Sequence, residues 1–340
     1  MPLNLLITGT SGFIGKHLLA HLLKRDFDIR AAVRSPADLP CPTFVVGKID
    51  GTTNWSDAVS GFDAVIHLAA YAHVTNPAKI DKALLHETNV EGTARLAQEA
   101  AKAGVKHFIF ISSIGAMADS SNKVLCADAP CSPTTLYGQS KLMAEKELKT
   151  MAGKYGMEWT IIRPPLVYGP GNPGNMQRLL KLIRSGIPLP LASVRNRRSF
   201  VYVENLVDVI LACLGNPKAF GKTYLPSDGE DVSTPELIRK IAKANLSFQC
   251  CPGAVSPSLG SECSGSEKNT RHSLLATRHS ARLFPFPESI LKALGSLPGL
   301  GALRKLTSSL YVDSQPLRKD LGWGPRFTME EGLVKTLQKY

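Results

Sequence analysis

A tyrosine and a lysine one helical turn apart form the pattern in this sequence that most directly suggests chemistry. Tyr137 and Lys141 occupy positions i and i+4, so on a helix both side chains would project from one face. An ammonium group beside a phenol favours the phenolate, and we therefore expect Lys141 to lower the pKa of Tyr137 towards neutral pH. Such a phenol could exchange a proton with a substrate oxygen.

A serine upstream could complete this pair. Ser112 and Ser113 follow residues 108–111, an apolar run that predicts a buried strand. At the end of that strand, Ser113 could hold a substrate oxygen beside Tyr137. A Tyr-x-x-x-Lys pattern alone is more often a surface pair, so the interpretation depends on the elements around it.

The first residues of the chain are typical of a dinucleotide-binding turn. Residues 3–8 predict a strand, leucines from position 18 predict a helix, and Gly9, Gly12 and Gly15 lie between them. The N–H groups at the start of such a helix point at a bound diphosphate. Gly9 would permit the tight turn, Gly12 the approach of the ligand, and Gly15 the close packing of helix on strand.

The end of the predicted second strand, residues 29–34, bears on the choice of cofactor. Dinucleotide-binding folds often place an acidic residue there for the ribose 2′-hydroxyl, whereas this strand ends in Arg34. A guanidinium group could bind a 2′-phosphate through two hydrogen bonds. NADP(H) is therefore preferred, NAD(H) is possible, and a solvated arginine is the alternative.

Alternating strands and helices predict an α/β fold: a Rossmann-like doubly wound parallel sheet with ligands at the carboxyl ends of its strands. Further strands are predicted at residues 43–46, 64–68, 159–162 and 223–225, and helices at 88–103 and 136–153. We expect an NAD(P)-binding domain over residues 1–170, with strands returning near 201–226. Residues 171–340 would form a smaller, mainly substrate-binding α/β part.

Composition excludes several classes of protein. With 340 residues, 44% of them hydrophobic and 20% charged, the chain is typical of a globular protein. It has neither a long apolar run nor a signal-peptide pattern, so we expect a cytoplasmic protein without stable membrane insertion. Seven cysteines without metal-ligand spacing predict free thiols and no metal. The net charge of +12 suits an anionic ligand.

Five motifs, in order, resemble the extended short-chain dehydrogenase/reductases, the NAD(P)-dependent epimerase/dehydratase group. The resemblance covers residues 3–244 and 281–338. The motifs are Thr8-Gly9-x-x-Gly12-x-x-Gly15, His67-Leu68-Ala69-Ala70, Asn89-Val90-Glu91-Gly92-Thr93, Ser112-Ser113 with Tyr137-x-x-x-Lys141, and Arg163-Pro164-Pro165-x-Val167-Tyr168-Gly169-Pro170.

The resemblance implies roles for individual residues. Tyr137 would be the general acid/base, Lys141 would tune it and bind the nicotinamide ribose, and Ser113 would orient the substrate. Relatives commonly place Asp after Gly47 to meet the adenine amine, whereas this chain has Lys48, so Asp50 could substitute. The cofactor-binding residues would be Gly9, Gly12, Phe13, Ile14, Gly15, Arg34, Asp50, Leu68, Ala69, Ala70, Asn89, Tyr137, Lys141, Pro164 and Val167.

The second half of the chain resembles enzymes of nucleotide sugars. An arginine placed like Arg198 binds the nucleotide diphosphate in such relatives, and Asn175 resembles a loop asparagine that contacts it. A solvated turn is the alternative for the arginines at 195–198, and no aromatic residues accompany them as nucleic-acid binding would require. The role of Arg304 stays open, and relatives imply a homodimer.

Together these features predict an NAD(P)-dependent enzyme acting at C4 of a nucleotide-activated sugar, in the first place a UDP-sugar. It would be a 4-keto-sugar reductase or a 4-epimerase of bacterial surface polysaccharide (lipopolysaccharide) synthesis. The alternatives are an NADPH-dependent ketoreductase of a non-sugar carbonyl, like the flavonol and steroid branches, and a catalytically silent dinucleotide-sensing protein. The Arg198 cluster argues against the first, and the complete Ser113, Tyr137 and Lys141 set against the second.

Residues 246–280 interrupt the family pattern with a Ser/Gly-rich stretch and predict a flexible insertion. Its cysteines and histidines fit no zinc spacing. The stretch that follows, residues 290–306, is amphipathic and basic enough to touch a membrane surface, although packing over the substrate pocket is the favoured interpretation.

Overall fold

The computed structural model describes residues 2–72, 80–250, 282–295, 297 and 301–338. The strands are β1 Leu3–Thr8, β2 Phe27–Val33, β3 Thr43–Val45, β4 Ala64–His67, β5 His107–Ile111, β6 Glu158–Ile162, β7 Leu166–Tyr168, β8 Arg198–Tyr202, β9 Lys222–Tyr224 and β10 Asp231–Val232. The helices are α1 Phe13–Leu22, α2 Ser56–Val59, α3 Lys82–His86, α4 Gly92–Lys102, α5 Leu136–Tyr155, α6 Asn175–Arg184, α7 Val203–Cys213, α8 Thr234–Cys250, α9 Glu288–Gly295, α10 Gly301–Thr307, α11 Gln315–Leu321 and α12 Met329–Leu337.

The predicted parallel sheet is present and has seven strands in the order β3-β2-β1-β4-β5-β6-β9. Leu5 of β1 pairs with Ile29 of β2 on one side and with Ala64 of β4 on the other. The chain therefore continues outward in opposite directions from β1, which opens a crevice at the carboxyl ends of β1 and β4. This doubly wound α/β architecture confirms the predicted fold class.

The sheet is buried on both faces because its strands alternate their apolar side chains between two cores. Leu5 and Ile7 of β1 face the core that includes residues of α1 and α7. Leu6, between them, faces the core that includes residues of α4 and α5. A strand covered on both faces needs apolar residues pointing to each face, which explains the uninterrupted apolar run Leu5-Leu6-Ile7 within β1.

The chain forms two compact units, neither of them continuous in sequence. The first contains residues 1–167, 199–230 and 310–327, and the second contains residues 168–198, 231–309 and 328–340. The predicted division at residue 170 thus lies close to the first crossing. The sequence pattern did not predict that residues 310–327 return to the first unit, where Val312 bridges to Leu125.

The second unit contains α6, α8, α9, α10 and α12. Its helix α8 continues through Cys250, beyond residue 246, where we expected the insertion to begin. Residues 251–280 of that predicted insertion lie outside the described residues. Within the described part of the chain, no helix is both long and apolar enough to cross a bilayer.

Candidate active site

The glycine-rich turn between β1 and α1 has the close backbone approaches predicted for it. Gly9 has φ +75°, and a Cβ atom there would lie 2.7 Å from the backbone nitrogen of Ala69. A Cβ atom at Gly15 would lie 2.2 Å from the carbonyl oxygen of Gly9. Since both contacts are with backbone, neither position can accept a side chain without moving the turn or β4.

One hydroxyl in this turn has no hydrogen-bond partner in the part of the chain that the structure describes. Thr10 is 1% exposed, and its Oγ1 has no hydrogen-bond partner among the described residues. A buried polar atom left unpaired is costly, and in native structures it is normally satisfied. A phosphate oxygen bound at the start of α1 would accept its proton, so the turn fits the diphosphate of a dinucleotide.

Two further residues predicted to bind the cofactor are Arg34, at the end of β2, and Asp50, in the loop after β3. Arg34 follows the last residue of β2 and is exposed. Asp50 Oδ1 accepts hydrogen bonds from Thr52 N at 2.8 Å and Thr52 Oγ1 at 2.7 Å, and these bonds lower the pKa of Asp50. Lys48, which stands where relatives place Asp, donates to Glu87 Oε2 at 2.6 Å. Contact of Arg34 or Asp50 with a cofactor stays a prediction.

His67 at the end of β4 connects the glycine turn to α4. Its Nδ1 is 2.7 Å from Thr8 Oγ1, and its Nε2 is 3.1 Å from Thr93 Oγ1. Burial, together with the charge of Lys141, lowers the pKa of His67 to about 3, so the ring is neutral. Thr93 Oγ1 donates a hydrogen bond to the carbonyl of Asn89 at 2.8 Å. The same oxygen can therefore accept a hydrogen bond from Nε2–H of His67.

Asn89 extends this network to the helix that carries Tyr137. Its Oδ1 accepts from Tyr71 N at 2.7 Å, and its Nδ2 donates to Ser140 Oγ at 3.1 Å. Ser140 Oγ in turn donates to the carbonyl of Tyr137 at 2.8 Å. Hydrogen bonds therefore run from β1 through His67 and Asn89 to the first turn of α5.

Ser113 and Tyr137 are brought together by an unusually close backbone contact. Ser113 caps a single 3₁₀ turn, Ile114–Ala116, and its Oγ accepts from Gly115 N at 3.1 Å. A Cβ atom at Gly138 would lie only 2.1 Å from the carbonyl oxygen of Gly115. The turn after β5 therefore packs directly on the first turn of α5, while the Ser113 hydroxyl proton stays available for a substrate oxygen.

Lys141 is buried below this turn and is bound to β5. It is 2% exposed, its Nζ donates to the carbonyl of Ile111 at 2.9 Å, and the same atom lies 4.5 Å from the centre of the Phe110 ring. Burial lowers the pKa of Lys141 to about 8, although the nearby Glu145 carboxylate opposes that shift.

The predicted lowering of the Tyr137 pKa is wrong for the protein without ligands. Burial raises the pKa of Tyr137 to about 12, so the phenol is protonated at neutral pH. The helical spacing correctly placed Lys141 one turn after Tyr137 on α5, but the loss of water around both side chains disfavours both of their charged forms.

A buried ion pair beneath Lys141 was not predicted from the sequence. Glu145 accepts from Arg163 Nε at 2.9 Å and from a terminal nitrogen of the same guanidinium at 2.5 Å. Its Oε1 also accepts from Ser112 Oγ at 2.5 Å. Glu145 follows Lys141 by four residues, a spacing that could have placed its carboxylate near Lys141 but not near Arg163. The pair connects α5 to the ends of β5 and β6.

The loop after β6 also joins this edge of the sheet. Pro164 is buried, and its carbonyl accepts from Ile114 N at 3.0 Å. Val167, in β7, is partly buried against the core. The first unit thus contains the following predicted residues: those of the glycine turn, Leu68, Ala69, Ala70, Asn89, Ser113, Tyr137, Lys141, Pro164 and Val167. Val167 lies in β7, which is not a strand of the seven-stranded sheet.

The two predicted substrate residues, Asn175 and Arg198, belong to the second unit. Asn175 begins α6, and its side chain lies outside the described atoms. Arg198 caps the end of α10, where its NH1 group donates to Lys305 O at 2.6 Å and Ser308 O at 3.2 Å. These bonds give Arg198 a structural role, and diphosphate binding by its other N–H groups stays a prediction.

No cluster of three metal-ligating side chains occurs within the described ranges. The sheet edge offers a phenol, a lysine and a hydroxyl beside a turn that fits a dinucleotide. Such a site on a doubly wound parallel sheet defines the class of dinucleotide-dependent α/β enzymes.

Comparison with known proteins identifies the family. The model of the NAD dependent epimerase/dehydratase family matches residues 5–225. The chain belongs to this family, which confirms the resemblance to extended short-chain dehydrogenase/reductases and its enzyme class.

Individual relatives match nearly the whole chain. UDP-glucose 4-epimerase of Vibrio cholerae is 35% identical over 348 residues, covering 100% of this chain and 96% of the relative. A 3-beta-hydroxysteroid dehydrogenase of Mycolicibacterium neoaurum is 27% identical over 352 residues, covering 99% of this chain and 91% of the relative. The crystal structure of UDP-glucuronic acid 4-epimerase from Bacillus cereus in complex with NAD aligns with a TM-score of 0.72 at 18% identity. The alignment covers 99% of this chain and 96% of the solved one. That last likeness concerns the fold.

Proposed function

We propose that this protein is an NAD(P)-dependent enzyme that inverts C4 of a nucleotide-activated sugar, with a UDP-sugar as the first candidate. The observation that carries the proposal is the Gly115–Gly138 contact, which joins the Ser113 turn to Tyr137 at the strand edge occupied by the glycine turn. The full-length similarity to a UDP-glucose 4-epimerase supports the substrate class.

The residues have separate tasks in such a reaction. The Ser113 hydroxyl would donate a hydrogen bond to the C4 oxygen of the sugar and hold it against Tyr137. The phenol oxygen of Tyr137 would accept the proton of the C4 hydroxyl during oxidation and return it during reduction. The nicotinamide, when bound, supplies hydride transfer to and from C4.

The protonation states constrain the order of events. Because burial raises the pKa of Tyr137 to about 12, the ligand-free enzyme holds this proton and is ready to act as an acid. To act as a base, Tyr137 must lose the proton after the ligands bind. Positive charge brought near the phenol would favour that loss, and Lys141 on the same helix face is one source of it.

An epimerase keeps its cofactor bound between oxidation and reduction of the sugar, which would favour NAD. Arg34, in contrast, favours NADP, because its guanidinium could bind the 2′-phosphate. A second candidate therefore follows from Arg34: net reduction of a 4-keto sugar by dissociable NADPH, at the same Ser113 and Tyr137. The role in bacterial surface polysaccharide synthesis is part of this proposal, and the resemblance of the second half of the chain to enzymes of nucleotide sugars supports it. The steroid dehydrogenase among the relatives supports keeping a non-sugar ketone as a control substrate.

The experiment is an incubation of purified protein with UDP-glucose or UDP-N-acetylglucosamine and NAD, followed by proton NMR of the sugar. Inversion at C4 supports the epimerase. Oxidation of NADPH with a UDP-4-keto-6-deoxy sugar, and no inversion, supports the reductase. Turnover of a 3-hydroxysteroid alone would contradict both.

We also propose a homodimer that forms through α4 and α5, the helices that relatives pair across a two-fold axis. In support, α5 exposes two large apolar side chains, Leu136 and Met143, which are 36% and 43% exposed. Light scattering at micromolar concentration should give the dimer mass for the native chain and a smaller mass for Met143→Glu. A native monomer would contradict the proposal.

A further inference from the structure

The outer face of α9 is an exposed apolar stripe. Ile290, Leu294 and Leu297 are 46%, 38% and 52% exposed. Ile290 and Leu294 are four residues apart on α9. Beyond the end of the helix, the backbone N–H of Leu297 donates a hydrogen bond to the carbonyl oxygen of Leu294 at 3.1 Å. Single exposed apolar residues are ordinary, but here two lie one turn apart on α9 and a third lies just beyond its end. We call these three residues the apolar stripe.

A face of α9 next to the apolar stripe is already used for packing, because successive helical residues are about 100° apart. Leu291 is 3% exposed and Gly295 is buried. A Cβ atom at Gly295 would lie 2.8 Å from the backbone nitrogen of Arg304, so α9 and α10 pack closely at this glycine. The helix pair thus buries the face of α9 that contains Leu291 and Gly295, and the apolar stripe stays exposed beside it.

Basic side chains accompany the stripe. Lys292 of α9 and Arg304 and Lys305 of α10 are all exposed, and we call them the basic rim. The one acidic residue of α9 and α10 is Glu288, which Lys292 binds at 2.8 Å. Residues 168–198, in the same unit, contain no Asp or Glu but six basic residues, which are Arg178, Lys181, Arg184, Arg195, Arg197 and Arg198.

We propose that the apolar stripe and the basic rim dock this protein reversibly on an anionic lipid bilayer. An amphipathic helix that combines apolar residues with lysine and arginine lies in the interface of such a membrane. Three apolar side chains give weak binding alone, so the attraction of the basic rim to anionic lipid is required.

The same charges argue against two other partners. A second copy of this chain would bring one basic rim against another, and like charges repel. A nucleic acid would use the basic rim but leave the apolar stripe in water. Only an anionic bilayer uses both features. The proposal is independent of the catalytic assignment, since it involves neither Tyr137 nor the dinucleotide turn.

The test is co-sedimentation of the full chain with vesicles of phosphatidylcholine, with or without phosphatidylglycerol, at increasing salt. The native protein should bind the mixed vesicles, bind phosphatidylcholine much less, and dissociate as salt rises. The double variants Ile290→Ser/Leu294→Ser and Arg304→Gln/Lys305→Gln should each reduce binding by about tenfold or more. Leu23→Ser, which replaces a 41% exposed leucine at the end of α1, should bind like the native chain.

Several results would overturn the proposal. The native protein could fail to bind mixed vesicles, or bind equally at all salt concentrations, and these two results need no variant to fold. Both double variants could bind as well as the native chain while circular dichroism shows them folded. A stripe variant that lowers the mass in light scattering without changing vesicle binding would assign the stripe to a second copy. Binding of duplex DNA alone, unaffected by the stripe variant, would assign the basic rim to nucleic acid.

Discussion

Gly138, in the first turn of α5, lies against Gly115 so closely that a Cβ atom on Gly138 would stand 2.1 Å from the Gly115 carbonyl oxygen. This contact sets the distance between the turn that carries Ser113 and the helix that carries Tyr137. Hydrogen bonds at both ends support it, because Thr135 Oγ1 accepts from Gly138 N at 3.2 Å and Ser113 Oγ accepts from Gly115 N at 3.1 Å.

Gly138→Ala should therefore damage catalysis by separating Ser113 from Tyr137. A displacement of about 1 Å can cost about 10²-fold in turnover, and the overpacked contact should cost about 1–3 kcal/mol of stability. The control is Gly153→Ala on the same helix, where an added Cβ meets nothing within 4 Å. It should raise the free energy of unfolding by about 0.5–1 kcal/mol and leave kcat unchanged. A native kcat for Gly138→Ala would show that the contact does not position the site.

Tyr137→Phe removes the proposed proton donor and acceptor without changing the shape of the ring. Turnover should fall by ~10²–10⁴-fold, the range typical of lost acid/base catalysis, while the Kd for NAD(P) changes little. Tyr155→Phe, at the end of the same helix, is the control and should turn over normally. Activity of Tyr137→Phe close to that of the native enzyme would remove Tyr137 from the mechanism.

Arg34→Ala tests the choice of cofactor. If the exposed guanidinium binds a 2′-phosphate, NADPH binding should weaken by roughly 1.5–3 kcal/mol, and NADH binding should hardly change. Fluorescence titration with each cofactor measures both values, with Lys24→Ala as a matched loss of one positive charge. Equal losses for NADPH and NADH would show that Arg34 does not recognise the phosphate.

The buried Lys141 should make stability depend on pH. Its pKa is about 8 in the folded protein and near 10.5 when exposed, so between these values the unfolded chain binds more protons. The Lys141 contribution to the free energy of unfolding should therefore rise with pH across this window, by up to about 3 kcal/mol.

Urea unfolding at several pH values, compared between the native chain and Lys141→Met, measures this contribution. The difference between the two curves should change across the window, whereas Lys146→Met, which removes an exposed lysine of α5, should give a curve parallel to the native one. Parallel curves for Lys141→Met would mean that Lys141 is not held in a dry environment.

The sequence predicted the parallel sheet and the position of Tyr137 and Lys141 because both depend on local periodicity. Strands covered on both faces, such as β1 and β5, must be apolar throughout, and helical spacing alone puts Lys141 one turn after Tyr137. The sequence also predicted the roles of Gly9 and Gly15, because a turn this tight leaves no room for a side chain at either position.

Contacts and pKa shifts that depend on residues far apart in the sequence could not be predicted from local patterns. The pKa of Tyr137 is raised by burial, to which elements far apart in sequence contribute. The sequence did not show that the NH1 group of Arg198 would bind carbonyls more than a hundred residues later, and diphosphate binding by its other N–H groups stays a prediction. Likewise, nothing local showed that Glu145 would meet Arg163 at the base of the site.

The most direct test of the central claim is the fate of the hydrogen at C4. We would incubate the enzyme and NAD with a UDP-sugar deuterated at C4, in ordinary water, and follow the label by NMR and mass spectrometry. If Tyr137 moves only the hydroxyl proton while the hydride leaves and returns to the same carbon, the inverted product should retain the deuterium at C4. An inverted product that has lost its deuterium to solvent, or native enzyme that inverts no UDP-sugar and reduces no 4-keto sugar, would contradict the account.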